Sequence, residues 1–408
     1  MDRKMIIAIL LALIIVSAGV LIVLNNDNGG ETAGPVTVLD AEGRNVTTAE
    51  APLRIVSCSP SLTEIVYALG IGERLVAVTD YCDWPADVDV RKNDGSLTSI
   101  GGYWTPSIEA IVEADANIIL VDQGVQAQLD MLPQMEDLQL NVIVLNKGQS
   151  FAEVYENIAM IGEICWQDEN ATQLIDSMND RLDEIQATMS EIEEEPTLAF
   201  CVWLEPIYLS GNGTFVSEIM YKAMGENAYD DMTSYPEIAM ESMLERDPEY
   251  LFVTGMMMET SGQAVLDMLK NDTLWSETSA VQNDKVYVLV GQAENLFNRP
   301  GPRMVDGVEL MAKILHSDVF NVTIPYVLEN DYVDWVSGSA SFEAPANAIL
   351  LVNNDLINAL TGPAANIFDT ASEYVAQGVI LLPPRPYLEQ FGIEPLSSVI
   401  GDDHLKNL

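Results

Sequence analysis

Histidine is nearly absent: the 408 residues hold only His316 and His404. A site built from several imidazoles, such as a histidine-rich zinc centre, is thereby excluded. A Ser-His-Asp triad has little to build on when both histidines fall so late in the chain. Basic residues are scarce as well. Against 63 acidic residues stand only 18 basic ones, a formal net charge of −45, which repels phosphate backbones and rules out nucleic acid as a partner. The four cysteines (Cys58, Cys82, Cys165, Cys201) are spaced too irregularly for a C-x-x-C metal site, so no metal held by protein side chains is expected. A Cys58–Cys82 disulfide is open if their strands are neighbours. G-x-S-x-G, Walker, G-x-G-x-x-G and H-E-x-x-H motifs are all missing. Neither an enzyme nor a resident cofactor is expected, although so many acids furnish carboxylate pairs by number alone.

What the chain does have begins at its amino terminus. Met5–Leu24 is an apolar run interrupted only by Ser17, Gly19 and small alanines, about 30 Å as a helix and so the thickness of a bilayer core. Arg3 and Lys4 precede it and no base follows closely, which puts the amino terminus in the cytoplasm and the remainder outside. The run is long for a cleaved signal peptide and lacks a clear small-x-small site, so a retained transmembrane helix is expected. No cysteine follows it closely enough for a bacterial-type lipid anchor. Asn25–Pro35 reads as a polar tether. N-x-T sequons at Asn45, Asn170, Asn212, Asn271 and Asn321 fit an exported glycoprotein surface. The acids are evenly spread, as on a solvated face suited to salty surroundings.

The chain also resembles itself. Thr63-Glu64-Ile65-Val66-Tyr67-Ala68-Leu69-Gly70 has a counterpart, one residue longer, in Ser217-Glu218-Ile219-Met220-Tyr221-Lys222-Ala223-Met224-Gly225. Each reads as a hydroxyl cap, a first-turn glutamate, an apolar stripe and a glycine stop. Glu109…Glu113…Asp115 before Ile118–Val121 aligns without gaps on Glu241…Glu245…Asp247 before Tyr250–Val253. Apolar strands are expected at Arg54–Cys58, Leu75–Thr79, Ile118–Val121 and Val142–Leu145, then at Thr197–Trp203, Tyr250–Val253 and Lys285–Val290. The fold class is α/β: two Rossmann-like lobes with parallel sheets, at 36–150 and 196–320. They are joined over 151–195 by a long, rigid, proline-free backbone helix, with Asn170–Glu195 a rod of about 39 Å. Residues 1–35 are the anchor and tether. Residues 321–408 are a mainly helical extension (Ala346–Leu360, Ala364–Gln377) of unassigned role.

Three segments carry a family resemblance: Arg54-Ile-Val-Ser-Cys-Ser-Pro-Ser-Leu-Thr-Glu64, Val78-Thr-Asp-Tyr81-Cys-Asp-Trp84-Pro85 and Gly101-Gly-Tyr103-Trp104-Thr-Pro-Ser-Ile-Glu109. They resemble the first lobe of the cobalamin- and ferric-siderophore-binding proteins, the class III (helical-backbone) solute receptors of ABC importers. Asn298-Arg299-Pro300-Gly301-Pro302-Arg303 with its following helix resembles that family's closing segment. The resemblance implies a ligand cleft at the carboxyl ends of the strands, which is also where open α/β sheets bind ligands. It places Pro60, Tyr81, Tyr103 and Trp104 there from the first lobe, and Trp203, Tyr208, Tyr235, Phe297 and Arg299 from the second. Aromatic faces would cover a wide, flat corrinoid or metal chelate while Arg299 holds its rim. Tyr103-Trp104 is the strongest pair, because a Gly-Gly loop before Pro106 is a poor core segment. Glu109 and Glu241 match the acids by which such receptors dock on permease arginines, with Glu113 and Glu245 as solvent-facing neighbours. The alternative for each docking acid is a first-turn glutamate favoured by the helix dipole.

The implied partners are an ABC permease, a corrinoid or, alternatively, a ferric siderophore or haem, and the membrane through the amino-terminal helix. Gly291-Gln292-Ala293-Glu294-Asn295 departs from the cobalamin-binding pattern, which has an acid shortly before the closing arginine; Glu294 is the nearest substitute. With no imidazole near the cleft, haem would need Tyr81 or Tyr103 as its axial ligand. A structural cell-surface protein is the reading from another class.

Overall fold

A computed structural model describes residues 34–254, 262–322, 324 and 326–328. The expected anchor at 5–24 and the expected extension helices at 346–360 and 364–377 lie outside the described residues. Among those that are described, no helix is long and apolar enough to cross a membrane.

The described residues open with an antiparallel ribbon that the sequence did not suggest, β1 (Val36–Leu39) and β2 (Asn45–Thr48). Asp40 closes its turn by accepting from the amides of Glu42 and Arg44, and it docks the ribbon by accepting from Val144 N at 3.2 Å. The first lobe continues with β3 (Ile55–Ser57), α1 (Pro60–Ala68), β4 (Leu75–Val78), α2 (Asp87–Asp94) and β5 (Thr98–Ser99). A small hairpin, β6 (Gly101–Gly102) and β7 (Thr105–Pro106), precedes α3 (Ile108–Glu113), β8 (Ile118–Asp122) and β9 (Val142–Leu145). The sheet order is β5-β4-β3-β8-β9, every pairing parallel. β3, β8 and β9 are buried at every position, as the unbroken apolar runs predicted for strands covered on both faces.

The single long backbone helix is in fact two, α4 (Phe151–Ile164) and α5 (Asp168–Thr188). Trp166 breaks the run with φ +62°, and α5 stops before the Glu-rich 191–195 segment. The two helices pack closely because Gly162 has no side chain: a Cβ there would lie 2.4 Å from Ala171 Cβ.

The second lobe comprises β10 (Thr197–Leu204), β11 (Ile207–Leu209), α6 (Phe215–Lys222), β12 (Glu226–Asn227), β13 (Glu237–Ile238), α7 (Met240–Arg246) and β14 (Tyr250–Thr254). After the segment 255–261 come α8 (Gly262–Asn271), β15 (Val286–Leu289), α9 (Gly291–Asn298), α10 (Met304–Leu315) and β16 (Val327–Leu328). This sheet is mixed, not parallel as expected. β12, β14, β15 and β16 run parallel through the ladder from β10, but β11 and β13 form an antiparallel edge. Only Glu205-Pro206 separates β10 from β11, far too few residues for a parallel crossover. β16 also carries the lobe past the boundary expected at residue 320.

The core explains why the lobes act together. One continuous cluster runs from α1 and the first sheet (Leu62, Ile65, Leu120) through the backbone helices (Ile158, Leu182) to the second sheet and its helices (Phe200, Ile219, Val308). Separate clusters fill the opposite face of each sheet.

The sequence repeat is structural, but its caps and stops differ from expectation. α1 starts at Pro60 after Ser59, so Thr63 is no cap and Glu64 lies beyond the first turn, and α6 is capped by Thr214 rather than Ser217. Asp115 (φ +47°) and Asp247 (φ +43°) both end their helices in the left-handed region, which aspartate tolerates. The two stops differ, however. Gly70 is left-handed, whereas in the second lobe Met224 takes that conformation. Gly225 is needed for space, since a Cβ there would lie 2.5 Å from Leu198 Cδ2.

All four cysteines are free and buried, so the Cys58–Cys82 disulfide is absent although β3 and β4 are neighbours. Cys82 Sγ instead sits 3.2 Å from both the Thr63 and Thr79 hydroxyls. The five sequon asparagines are exposed, but Asn170 and Asn271 donate Nδ2 to the carbonyls of Leu69 and Asp267.

Candidate functional site

The hairpin β6–β7 leaves Tyr103-Trp104 as its two turn residues, with Gly102 opposite Thr105. Gly101 makes the hairpin possible: its φ is +92°, and a Cβ would lie 3.2 Å from Thr105 O. Beneath the turn, the Tyr103 hydroxyl donates to Asp122 Oδ2 at 3.0 Å. Gln128, fully buried, donates to the carbonyls of Tyr103 and Cys58 and accepts from Asp122 N. Nothing in the sequence singled out Asp122 or Gln128. Asp122 ends the apolar strand β8 and Gln128 lies in the short helical turn Gln126–Leu129 after it, and their role comes from the hairpin that folds over them.

Burial raises the Asp122 carboxyl above its ordinary range, and burial with Asp122 alongside raises the Tyr103 phenol. Trp104 stacks edge-on against Tyr103 at 4.9 Å and against Tyr81 at 5.7 Å. Tyr81 is 53% and Trp104 52% exposed. Three aromatic rings grouped at the carboxyl ends of strands, two of them half in solvent, form an aromatic platform. Lys92 holds the Tyr81 loop from behind, donating to the carbonyls of Asp80 and Cys82.

Of the second-lobe residues, Trp203 and Tyr208 face each other across the β10–β11 register. Trp203 Nε1 donates to Glu205 O at 2.6 Å and the Tyr208 hydroxyl to Glu237 Oε2 at 2.9 Å. Tyr235 is exposed. Three expected site residues are buried in the core or engaged by other parts of the chain. Pro60 is buried at the first position of α1, where its missing N–H costs nothing. Phe297 is 1% exposed and packs 5.2 Å from Phe200 inside the core. Its position in the amphipathic α9 turns it inward.

Arg299 departs furthest from expectation, because its guanidinium is engaged by the first lobe. Nη1 lies 2.6 Å from Asp83 Oδ1 and 3.1 Å from Glu64 Oε1, and Nη2 donates to Tyr81 O at 3.0 Å. Arg303 completes the cluster with two bonds to Glu64, both 2.8 Å, while its plane lies 4.4 Å from the Trp84 ring centroid. Two arginines from the closing segment thus meet two acids of the first lobe. Close by, a Cβ on Gly148 (φ +71°) would lie 2.5 Å from Pro300 Cβ.

The repeat partner of Glu64 also makes a tie. Glu218, in the first turn of α6, accepts from Phe151 N at the start of α4 at 2.7 Å. At the back, Arg181 of α5 pairs with Asp306 and Glu309 of α10 at 2.6 and 2.8 Å. His316 is structural, its Nε2 lying 3.0 Å from Ala223 O at the end of α6.

Glu109 and Glu241 are exposed in the first turns of α3 and α7, at matching positions. Glu109 accepts from the capping Ser107 hydroxyl at 3.0 Å. Neither forms an ion pair among the described residues.

Known proteins share this architecture. Residues 55–293 match the family described as periplasmic binding protein. An uncharacterised ABC transporter substrate-binding lipoprotein of Bacillus subtilis, YvrC, is 31% identical over 290 residues, covering 70% of this chain and 87% of the relative. The vitamin B12-binding protein of Vibrio cholerae is 27% identical over 268 residues, 64% of this chain and 88% of that one. The crystal structure of a possible iron-binding, periplasmic solute-binding protein from Staphylococcus epidermidis superposes with a TM-score of 0.57 at 25% identity, covering 65% of this chain and all of the other. Doubled α/β lobes on a helical backbone, and a family match over more than half of the sequence, lead to one conclusion: the chain belongs to the periplasmic binding protein family and is a substrate-binding protein of an ABC importer.

Proposed function

We propose that the protein captures a corrinoid outside the cell, between its two lobes, and delivers it to a membrane permease. The observation that carries this reading is the Tyr81–Tyr103–Trp104 platform at the strand ends, with Tyr81 and Trp104 half in solvent, suited to the face of a broad, partly apolar macrocycle. Trp203, Tyr208 and Tyr235 would supply the second lobe's share. Similarity to the vitamin B12-binding protein of Vibrio cholerae supports the choice of ligand. A corrinoid whose axial positions are filled needs no ligand from the protein. This suits a chain whose described histidine is buried at the far end of α10 and whose Tyr103 phenol is held protonated by burial and by Asp122 beside it.

A ferric chelate is the second reading, favoured by the likeness to the possible iron-binding protein of Staphylococcus epidermidis. The Tyr103–Asp122 pairing opposes a phenolate at Tyr103, so haem would be left to Tyr81 for its axial ligand. Glu109 and Glu241, one exposed first-turn acid per lobe, would dock the receptor on basic permease residues, and the apolar run at 5–24 would hold it at the membrane.

Titration of tryptophan fluorescence with cyanocobalamin, a hydroxamate–iron complex and haemin tests the assignment. Saturation by cyanocobalamin at micromolar concentration or below is expected. Saturation by the iron complex alone would favour the second reading, and none by any of the three would sink the transport role.

A further inference from the structure

Fourteen basic residues lie among the described ones, and thirteen of them hydrogen-bond or pair with another group of the chain. Lys147 is the exception. In a chain with 63 acids, an exposed lysine without a carboxylate partner is unusual, and its position is more so. It follows β9 at the carboxyl end of the first sheet, where α/β sheets bind ligands.

Two close approaches locate it. The next residue, Gly148, packs against Pro300 of the other lobe, which sets Lys147 at the seam between them. On its other side, Lys147 Cβ lies 3.9 Å from the place a Cβ on Gly124 would occupy. Gly124 N donates to Asp122 Oδ1 at 2.8 Å, and Asp122 Oδ2 receives the Tyr103 hydroxyl. Lys147 is therefore one residue from the inter-lobe contact and beside the support of the aromatic platform. Arg299, the residue first expected to hold an acidic rim, already uses both Nη1 donors on Glu64 and Asp83 and one Nη2 donor on Tyr81 O.

We propose that Lys147 is the specificity residue of the cleft and takes an anionic oxygen group of the ligand, a phosphate or a carboxylate. The proposal rests on the cleft reading above and deepens it. In a corrinoid the group would be the phosphodiester of the nucleotide loop; in haem it would be a propionate. Lysine suits either as a mobile point charge.

The test pairs each ligand with its uncharged analogue, cyanocobalamin with dicyanocobinamide (which lacks the phosphodiester) and haemin with its dimethyl ester. Affinities are read for the full chain, for Lys147→Ala and for Lys147→Arg. Lys147→Ala is expected to weaken the anion-bearing member of whichever pair binds by about fivefold. It should leave the uncharged analogue unchanged, and Lys147→Arg should restore most of the loss. The difference between the wild-type chain and Lys147→Ala should shrink in high salt, because the contact is partly exposed. Equal affinities for wild type and Lys147→Ala, or equal losses for both members of a pair, would overturn the assignment while leaving the cleft reading intact. A wild-type chain that binds no member of either pair overturns the proposed function, and the Lys147 assignment falls with it.

Discussion

Glu64 and Arg303 are 239 residues apart in sequence and joined by two hydrogen bonds of 2.8 Å, one to each carboxylate oxygen. Glu64 is 3% exposed and carries Arg299 as well. A buried charge cluster of this kind adds little net stability over an apolar substitute, but removing one member strands the others in a medium that solvates them poorly. Glu64→Ala should therefore destabilise the protein by about 3–5 kcal/mol, measured as the shift in a urea unfolding curve. Glu64→Ala combined with Arg299→Met and Arg303→Met should recover much of that loss. A shift below about 1 kcal/mol for Glu64→Ala would mean that the guanidinium groups find water or other partners at the seam.

How Glu64 escaped sequence reading shows what was legible and what was not. The repeat itself was visible, because a hydroxyl, a glutamate and an apolar stripe recur locally. The strand positions were visible for the same reason: β9 is Val142–Leu145, as the apolar run foretold. Glu64 and Glu218 looked like ordinary first-turn acids, yet each reaches a partner far along the chain, Arg303 and Phe151 N. Such pairings depend on how two lobes meet, which no local pattern encodes. Arg299 was misread by the same logic, since a cation near a cleft and a cation tying the cleft's walls have the same sequence signature. The exposure of Trp104 was readable because a Gly-Gly hairpin is a poor core segment, but the inward reach of Tyr103 to Asp122 was not. Nor was Phe297, since an aromatic in an amphipathic helix points either way until the helix is docked.

The aromatic platform yields the most direct binding prediction. Tyr103→Ala with Trp104→Ala should cost about 1–3 kcal/mol of stability through the lost Tyr103–Asp122 hydrogen bond, leaving the protein folded, and should weaken ligand binding by about tenfold or more. Tyr103→Phe keeps the ring but loses the hydroxyl bond to Asp122, so it should lower affinity less than the alanine pair. Isothermal titration of each variant separates these cases. Unchanged affinity in the double variant would remove both residues from the site.

Asp122 gives a pH signature. Burial holds its carboxyl above the ordinary value of 3.8, so the native state binds this proton more readily than the unfolded chain does. The sign follows from linkage. Relative to an unshifted carboxyl, the group favours the folded state at acid pH, and that advantage is lost as pH rises above 3.8 through the folded value. The stability of the wild-type chain minus that of Asp122→Asn should therefore fall from about pH 4 toward neutrality. Asp306, shifted the same way by burial, is present in both proteins and cancels. Urea unfolding at several pH values checks the slope, and a difference that rises with pH would show that Asp122 is stabilised as the anion.

The docking acids demand a measurement that separates transport from binding. Glu109 and Glu241 occupy matching first-turn positions, so each gains from the helix dipole whether or not it has a partner. Dipole stabilisation alone predicts that alanine at either site costs up to about 1 kcal/mol of stability and nothing in uptake. Docking predicts the reverse emphasis. In Glu109→Ala with Glu241→Ala, soluble ligand affinity should be unchanged and stability nearly so, while uptake into cells or permease-containing vesicles should fall by about tenfold or more as two charge-assisted contacts are lost. Glu113→Ala with Glu245→Ala is the matched control: these acids lie one turn further along the same helices, are also exposed, and should leave uptake intact. If the control pair impairs uptake as much as the first pair does, the permease responds to the overall charge of this face and not to the two first-turn acids.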